Sequence, residues 1–492
     1  MQDRVSASPG RVLITPESGE AYYATIERAD NPTQVGTPLN KASFLTDATA
    51  SDYGISTSAT PNDALQALKT NHRPWRVGDI LDTVRTDLGS KWLLCNGSYI
   101  ESSDYPELYS VLPKVSSISK TAGLTSITCC LHANGYWVIG GKNSSNKPAI
   151  AYTSDTIKET WSVRTLSLSG SDSSGSVCGI SYADGKWAIF GGSNTTAYIW
   201  HATVITGSFT VITWKDNSGR SIEVKAGCYG NGYWSIVLEI VHNNYFYCLV
   251  LYTDDLEEGN LSQTDVLITT SVNTYNGTSV AFGIVYAAGY WCVARGIANV
   301  GFRIYYTNSI SGTWSYYDAI NDSNGIIIYN FYCFCYAHNY FIVCGNSLDT
   351  NSHEGKQFIA YSTSPNATWR KMTGNNSVNT LTFLTERNVC FNYVDYINGK
   401  FVFVGKYNAQ YGYAYATSLT NNGTLSFTTI TPTNDNGGIY VMPSGDICQF
   451  AYHYTDSNIT TLLRNIPSAS NIAAQLPTIS ISNARAYIRA EE

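Results

Sequence analysis

The chain has 492 residues, of which 43% are hydrophobic, 13% aromatic and only 14% charged, with 37 tyrosines and a formal net charge of −7. A sparse, net negative charge excludes an electrostatic nucleic-acid surface. The abundance of Tyr, Thr, Val and Asn excludes an architecture of long helices and points to strands with polar uncharged loops.

Residues 1–74 differ in material from the rest. Val12–Pro16 and Ala21–Ile26 read as two short paired strands, and residues 29–40 are rich in turn formers. A helix is predicted over Asn62–Lys69, started by Thr60, Pro61 or Asn62. The start, Met1 to Pro9, has no apolar run, so no signal peptide is expected. This region buries too little for a core of its own, so it is read as an attachment region that docks or oligomerises.

Residues 75–110 carry three spaced phrases. They are Gly78-Asp79-Ile80, then Lys91-Trp-Leu-Leu-Cys-Asn-Gly-Ser98, then Asp104-Tyr-Pro-Glu-Leu-Tyr109. The residues Gly78, Asp79, Trp92, Cys95, Asn96, Gly97, Tyr105, Pro106 and Leu108 resemble the hallmark of the phage tail-collar domain. Ala29–Pro32 and Gly36–Lys41 are similar to the front of tail-fibre proteins. The resemblance implies a structural module, with Trp92, Leu94 and Tyr105 in its core, and no catalytic group. Leu476–Ile481 and Arg485–Arg489 read as the closing strands of the same module, which makes the collar-like domain discontinuous, 75–110 and 467–492.

Between them, residues 111–466 repeat at a spacing of roughly 50 residues, in the range of propeller blades. The clearest copy runs from Ile127 to Gly141: an apolar run, Asn134-Gly135, then Tyr136-Trp137 and a second run ending on glycine. Copies recur at Ala183-Asp-Gly-Lys-Trp187, Gly230-Asn-Gly-Tyr-Trp234, Ala287-Ala-Gly-Tyr-Trp291, His338-Asn-Tyr-Phe341 and Ile397-Asn-Gly-Lys-Phe401. Asn-Gly between β-rich runs signals a hairpin. Each copy continues into a phrase such as Ala151–Asp155 with Thr160-Trp161. That phrase is similar to a decayed Asp-box of sialidase-like propellers, a folding turn that joins the third strand of a blade to the fourth.

The expected fold is therefore mainly β: a seven-bladed β-propeller inserted in a small tail-collar-like β domain, preceded by the attachment region. Six repeats are complete. A seventh, Gly438 to Asn465, lacks its last strand, and Val111–Ser117 is expected to supply it and close the ring. The chain then enters and leaves beside the a–b and c–d turns. The variable b–c and d–a links point away from the collar, which makes them the expected receptor-binding face. Candidate contact residues are Asn143, Asn194, Tyr275, Asn299, Asn321, Asn346, His353, Tyr407 and Tyr411, since amides and flat aromatic rings suit sugars.

The most apolar stretch, Ile326–Gly345, has the length of a membrane span. It contains Asn330, His338 and Asn339, and reads as two strands around a turn. The twelve cysteines form no Cys-x-x-Cys pair, and Cys129, Cys178, Cys228, Cys292, Cys344 and Cys390 fall in predicted strands, as small apolar residues of a reduced protein. The seven histidines lack ligand spacing, so neither metal nor cofactor is expected.

A sialidase-like resemblance would imply an arginine triad, an Asp acid/base and a Tyr/Glu pair. Phe302-Arg303-Ile304 echoes the family's Phe-Arg-Ile but falls mid-propeller, and the other propeller arginines (Arg164, Arg220, Arg295, Arg370, Arg387, Arg464) are mostly assigned to fourth strands and links. The conceivable carboxylate pairs are Asp349 with Glu354 and Asp254 with Glu257. The sequence reading is thus a phage tail-fibre, receptor-binding protein, not an enzyme, that attaches the virion to a bacterial surface glycan or protein. A glycan-degrading tail enzyme and a purely structural tail protein are the alternatives. The resemblance also implies a homotrimer, baseplate or tail partners for residues 1–74, and a place in the virion tail after synthesis in the host cytoplasm. No nucleic-acid or membrane partner is expected.

Overall fold

The computed structural model describes residues 11–14, 18–25, 50–51, 56–71, 76–83, 88–170, 172–242, 245–269, 282–297, 301–320, 326–349, 355–372, 389–407, 410–419, 426–432, 439–444, 447–455, 458–465, 471–481 and 484–490. The chain is mainly β. It divides into two compact units, Met1–Asp79 and Ile80–Glu491.

In the first unit, Arg11–Ile14 pairs antiparallel with Tyr22–Thr25. The helix spans Pro61–Asn71. Thr60 starts it: its N–H donates to Asp63 Oδ2 at 2.6 Å, and the Asp63 N–H donates back to Thr60 Oγ1 at 3.2 Å. This reciprocal bonding satisfies two of the donors a helix start leaves open. Gly78 adopts φ +93°, and Asp79 accepts the Arg76 N–H at 2.6 Å. Residues 29–41 lie outside the described residues.

Among the described residues of the second unit, seven four-stranded antiparallel sheets follow one another. The first is built from Ser126–Ala133, Tyr136–Lys142, Pro148–Thr153 and Ser162–Thr165, called strands a to d. The next five repeat this meander over 176–215, 221–269, 282–320, 326–371 and 389–432. The seventh takes Ile439–Ser444, Ile447–Thr455 and Asn458–Asn465, and its outer strand is Ser117–Thr121, from before the first sheet. Each a strand packs on the a strand of the next sheet, and that of the seventh packs on that of the first. Cores fill the spaces between sheets, as where Trp187, Ile189, Tyr198 and Trp200 pack with Val138 and Ile150.

The a–b hairpins follow from their turn residues. Asn134-Gly135, Asp184-Gly185, Asn231-Gly232, Ala288-Gly289, His338-Asn339 and Asn398-Gly399 all have positive φ at both positions. This is the turn whose twist matches paired strands. Ile326–Gly345 accordingly lies in two strands, Ile326–Ala337 and Tyr340–Asp349. The c–d turns repeat as well. Asp155 Oδ1 accepts the N–H groups of Ile157 and Lys158 at 2.8 and 2.9 Å, while Thr153 Oγ1 donates to the Asp155 carbonyl at 3.1 Å. Thr253 with Asp255, and Thr307 with Ser309, repeat the hydroxyl–carbonyl bond. Trp161, Trp314 and Trp369, which end this phrase in three sheets, are buried.

The outer strand of the seventh sheet differs from the expected Val111–Ser117. Pro106–Val111 is a short helix, and Lys114–Val115 pairs with Ala473–Ala474 instead. The strand begins where Ser117 meets Arg464, because this register buries Ile118.

The two ends of the second unit pair with each other. Ile80–Thr83 and Trp92–Leu94 flank Ala484–Arg489, and Tyr99–Ile100 with Lys114–Val115 flank Ala473–Gln475. Cys95 is buried; its N–H donates to Ala486 O at 2.8 Å and its carbonyl accepts from Ile479 N at 3.1 Å. Asn96 Oδ1 accepts the Ser98 N–H at 3.0 Å, Gly97 turns at φ +79°, and Leu108 is fully buried behind Tyr105 and Pro106. The Arg489 guanidinium lies over the Trp92 ring, 5.5 Å from its centroid. This paired region meets the c–d turn of the first sheet: Lys158 Nζ is 2.8 Å from Asp104 and 3.3 Å from Glu101, and Ile157 packs with Ile118, Leu463 and Ala473. Among the described residues no helix is long and apolar enough to cross a membrane.

Candidate functional site

At the b–c and d–a end of the first three sheets lies a cavity of about 490 Å³. That volume falls in the range of small-molecule sites. One irregularity, repeated in successive a strands, builds its wall. The pairing slips between Ile127 and Cys129, between Val177 and Gly179, and between Val224 and Ala226. A β-bulge at each slip leaves one extra residue, Thr128, Cys178 or Lys225, and all three line the cavity. Bulges re-aim side chains in this way, often beside sites. Lys142, Ser174, Ser176, Ser193, Asn194 and Glu223 complete the polar lining.

Lys225 sits at the meeting point of several charges. The bulge leaves Glu223 directly opposite Glu239 across the two strands. Like charges so placed repel. The Lys225 ammonium relieves this, 2.6 Å from Glu223 and 3.5 Å from Glu239. Arg295, from strand b of the fourth sheet, reaches Glu239 at 3.4 Å. The side chains of Glu239, Lys225 and Arg295 are 1%, 7% and 11% exposed, whereas that of Glu223 is 64% exposed. Next to Arg295, Arg303 on strand c forms a two-pronged bond to Asp318, at 2.6 and 3.2 Å, and lies 3.9 Å from the Tyr316 ring centroid. Burial pushes the Tyr305 hydroxyl up, against the pull of Arg303.

A second device fixes the rim. Asp172, in the link between the first and second sheets, accepts hydrogen bonds from Ser193 Oγ at 2.6 Å, Tyr198 OH at 2.6 Å and Thr195 Oγ1 at 2.9 Å. Burial opposes its ionisation, but these hydroxyls outweigh it and bring the carboxyl down to about 2. The b–c turn that holds Asn194 is thereby tied to the preceding d–a link.

Of the expected contact residues, Asn194 is exposed and lines the cavity. Asn143 shapes the neighbouring turn: its Oδ1 accepts the Ser145 and Lys147 N–H groups at 3.0 and 3.1 Å, and its Nδ2 donates to Thr165 at 2.8 Å. Tyr411 is a correction. It lies within the strand Gln410–Ala416, opposite Lys406, and is fully buried beside Tyr452. Asn346 and Tyr407 also fall on strands, Tyr340–Asp349 and Lys400–Tyr407, with side chains outside the described residues. Tyr275, Asn299, Asn321 and His353 lie outside the described residues altogether.

The two conceivable carboxylate pairs were Asp254 with Glu257 and Asp349 with Glu354. Glu257 bonds Lys186 at 2.9 Å, across from the second sheet. Glu354 lies outside the described residues. Arg295 and Arg464 lie on strands b and c of their sheets. The Lys225–Glu239–Arg295 cluster was missed. Its signal was one charged residue inside each continuous apolar run: Glu239 in Trp234–Val241, and Arg295 in Trp291–Ile297. Cys129 and Cys228 are thiols, and burial pushes them up to about 12 and about 11. No cluster of metal-ligating residues occurs among the described residues.

No protein-family model matches the chain, and no curated protein matches it. Solved structures do resemble it. YCF48 bound to a D1 peptide is 14% identical, with a TM-score of 0.45, over 73% of this chain and 98% of that one. A PL25 ulvan lyase bound to -[GlcA(1-4)Rha3S]- is 9% identical, with a TM-score of 0.48, over 71% and 95%. A Trypanosoma rangeli sialidase in complex with sialic acid is 10% identical, with a TM-score of 0.37, over 76% and 59%. At these identities the likeness concerns the fold. Because glycan-processing enzymes stand among the structures so related, the expectation that this chain is not an enzyme is withdrawn.

Proposed function

We propose that the chain is a glycan-directed phage tail protein that engages a bacterial surface polysaccharide in the cavity at the b–c and d–a end of its sheets. The observation that carries this reading is the cavity itself. Hydroxyls, an amide, two lysines and a carboxylate converge there from strands, a b–c turn and a d–a link, the mixture of donors and acceptors that a polyhydroxylated ligand requires. The seven sheets are the blades of a seven-bladed propeller, closed by Ser117–Thr121. The paired termini, 75–110 with 467–492, form the tail-collar-like module, and residues 1–74 attach it to the tail as a homotrimer. The contacts of Lys158 and Ile157 support this arrangement, because through them the paired termini meet the c–d turn of the first sheet.

The test is adsorption to host cells and to immobilised cell-wall polysaccharide by the full chain, beside Lys142→Ala/Asn194→Ala. Both substitutions lie on exposed or half-exposed positions, so melting should not change while adsorption falls at least tenfold. Unchanged adsorption by the variant overturns this reading.

Cleavage of the held glycan is the second reading, favoured by Glu223. This carboxylate is exposed in the cavity wall beside a lysine, as a proton-transfer group must be. Release of new sugar ends from the polysaccharide, abolished in Glu223→Gln, supports it. Intact polysaccharide after prolonged incubation removes it.

A further inference from the structure

We infer that the cavity takes an acidic sugar, one bearing a carboxylate, by letting that carboxylate displace Glu223 from Lys225. The inference rests on the glycan reading above and names the class of glycan.

The two carboxylates on Lys225 are unlike. Glu239 is enclosed, fixed in the middle of strand b and shared with Arg295. Removing it from its cations is expensive, since buried charges have no water to return to. Glu223 is 64% exposed, so its release leaves a well-hydrated carboxylate. An exposed ion pair contributes about 0–1 kcal/mol. Glu223 thus holds the place of an anion at 2.6 Å from an ammonium that is otherwise almost closed off from solvent. The site is occupied by a weak internal ligand that an external one of the same chemistry replaces.

The geometry favours the exchange on two further counts. Lys225 is the extra residue of a bulge, so no ladder bond to strand b must break when its partner changes. Lys142 adds a second cation to the same wall. A neutral sugar gains none of this, because it leaves the Glu223–Lys225 pair intact.

The test is an oligosaccharide array printed in matched pairs, each uronate-containing member beside its carboxyl-reduced form. It is probed with the full chain, Glu223→Gln, Lys225→Arg and Lys225→Met. The wild type should favour the acidic member of its best pair by tenfold or more. Glu223→Gln should tighten that member two- to fivefold. Lys225→Met should lose the preference and Lys225→Arg should keep most of it. Glu223→Gln, being exposed, decides the matter even if Lys225→Met fails to fold. Equal binding to both members, or weaker acidic binding by Glu223→Gln, overturns the inference and leaves the glycan reading standing. No binding to any member by folded protein overturns both.

Discussion

Arg295 and Arg303 stand directly opposite each other on strands b and c of the fourth sheet. Two guanidinium groups so placed repel, and each is held by its own carboxylate, Glu239 for Arg295 and Asp318 for Arg303. The two carboxylates differ in burial, 1% against 33% exposed, and this decides what each contributes. Glu239→Gln should cost about 3–5 kcal/mol, because it removes the enclosed carboxylate that Lys225 and Arg295 share. Asp318→Asn should cost no more than about 1 kcal/mol. Urea unfolding of the two variants checks the ranking. Equal losses would show that Glu239 is better solvated than its burial implies.

Asp172 gives the cavity rim a pH dependence. Its folded-state carboxyl lies at about 2, below the ordinary value of about 3.9. A depressed carboxylate stabilises the fold above its unfolded value, and the contribution is lost as pH falls through the folded one. Between about pH 4 and pH 2 the wild type should therefore lose stability that Asp172→Asn never had. Melting curves across that range should converge for the two proteins at the acid end and separate above pH 4. Parallel curves would mean that the Ser193, Thr195 and Tyr198 hydroxyls do not favour the ionised form.

Asp395 has the opposite sign. Burial raises its carboxyl, although the Tyr396 N–H at 2.7 Å and the Tyr393 hydroxyl at 3.1 Å both donate to it. A raised carboxyl stabilises the fold below its unfolded value, about 3.9, and that stability disappears as pH rises through the folded value. Asp395→Asn retains an acceptor for Tyr396 and carries no charge to bury, so it should melt higher than wild type at pH 7 and no higher at pH 3. A lower melting temperature at pH 7 would show that the ionised form is paired.

The contrast between these carboxylates explains what the sequence could reveal. The sheets were legible because the six described a–b turns demand left-handed backbone, which Asn134-Gly135 or Asn398-Gly399 announces locally. The borrowed outer strand was legible in kind. Its position was not, since Lys114–Val115 pairs with a segment 360 residues away, in a register no local pattern encodes. The cavity was less legible still. Lys225 lines it only because a bulge adds one residue to its strand, and Glu239, Arg295 and Asp172 meet their partners through the packing of one sheet on another or across a link. Tyr411 was misplaced for a related reason. A tyrosine in a Gly/Asn-rich stretch resembles a loop residue until pairing with Lys406 puts it on a strand.

Ala288 tests the hairpin logic at its weakest copy. Asn, Asp or His occupies the first turn position in the five other described hairpins, whereas here an alanine is held at φ +51°. Left-handed backbone costs an ordinary residue about 1–2 kcal/mol, and asparagine tolerates it through local hydrogen bonding. Glycine removes the strain too, but gives back about 0.5–1 kcal/mol in the greater freedom of its unfolded chain. Ala288→Asn should therefore raise stability by about 1 kcal/mol and Ala288→Gly by somewhat less, while the matched change Asn134→Ala in the first sheet should lower it by a similar amount. Urea midpoints at constant slope measure all three. If Ala288→Asn fails to stabilise while Asn134→Ala destabilises, the fourth hairpin relieves its strain elsewhere, and the turn residues alone do not set its register.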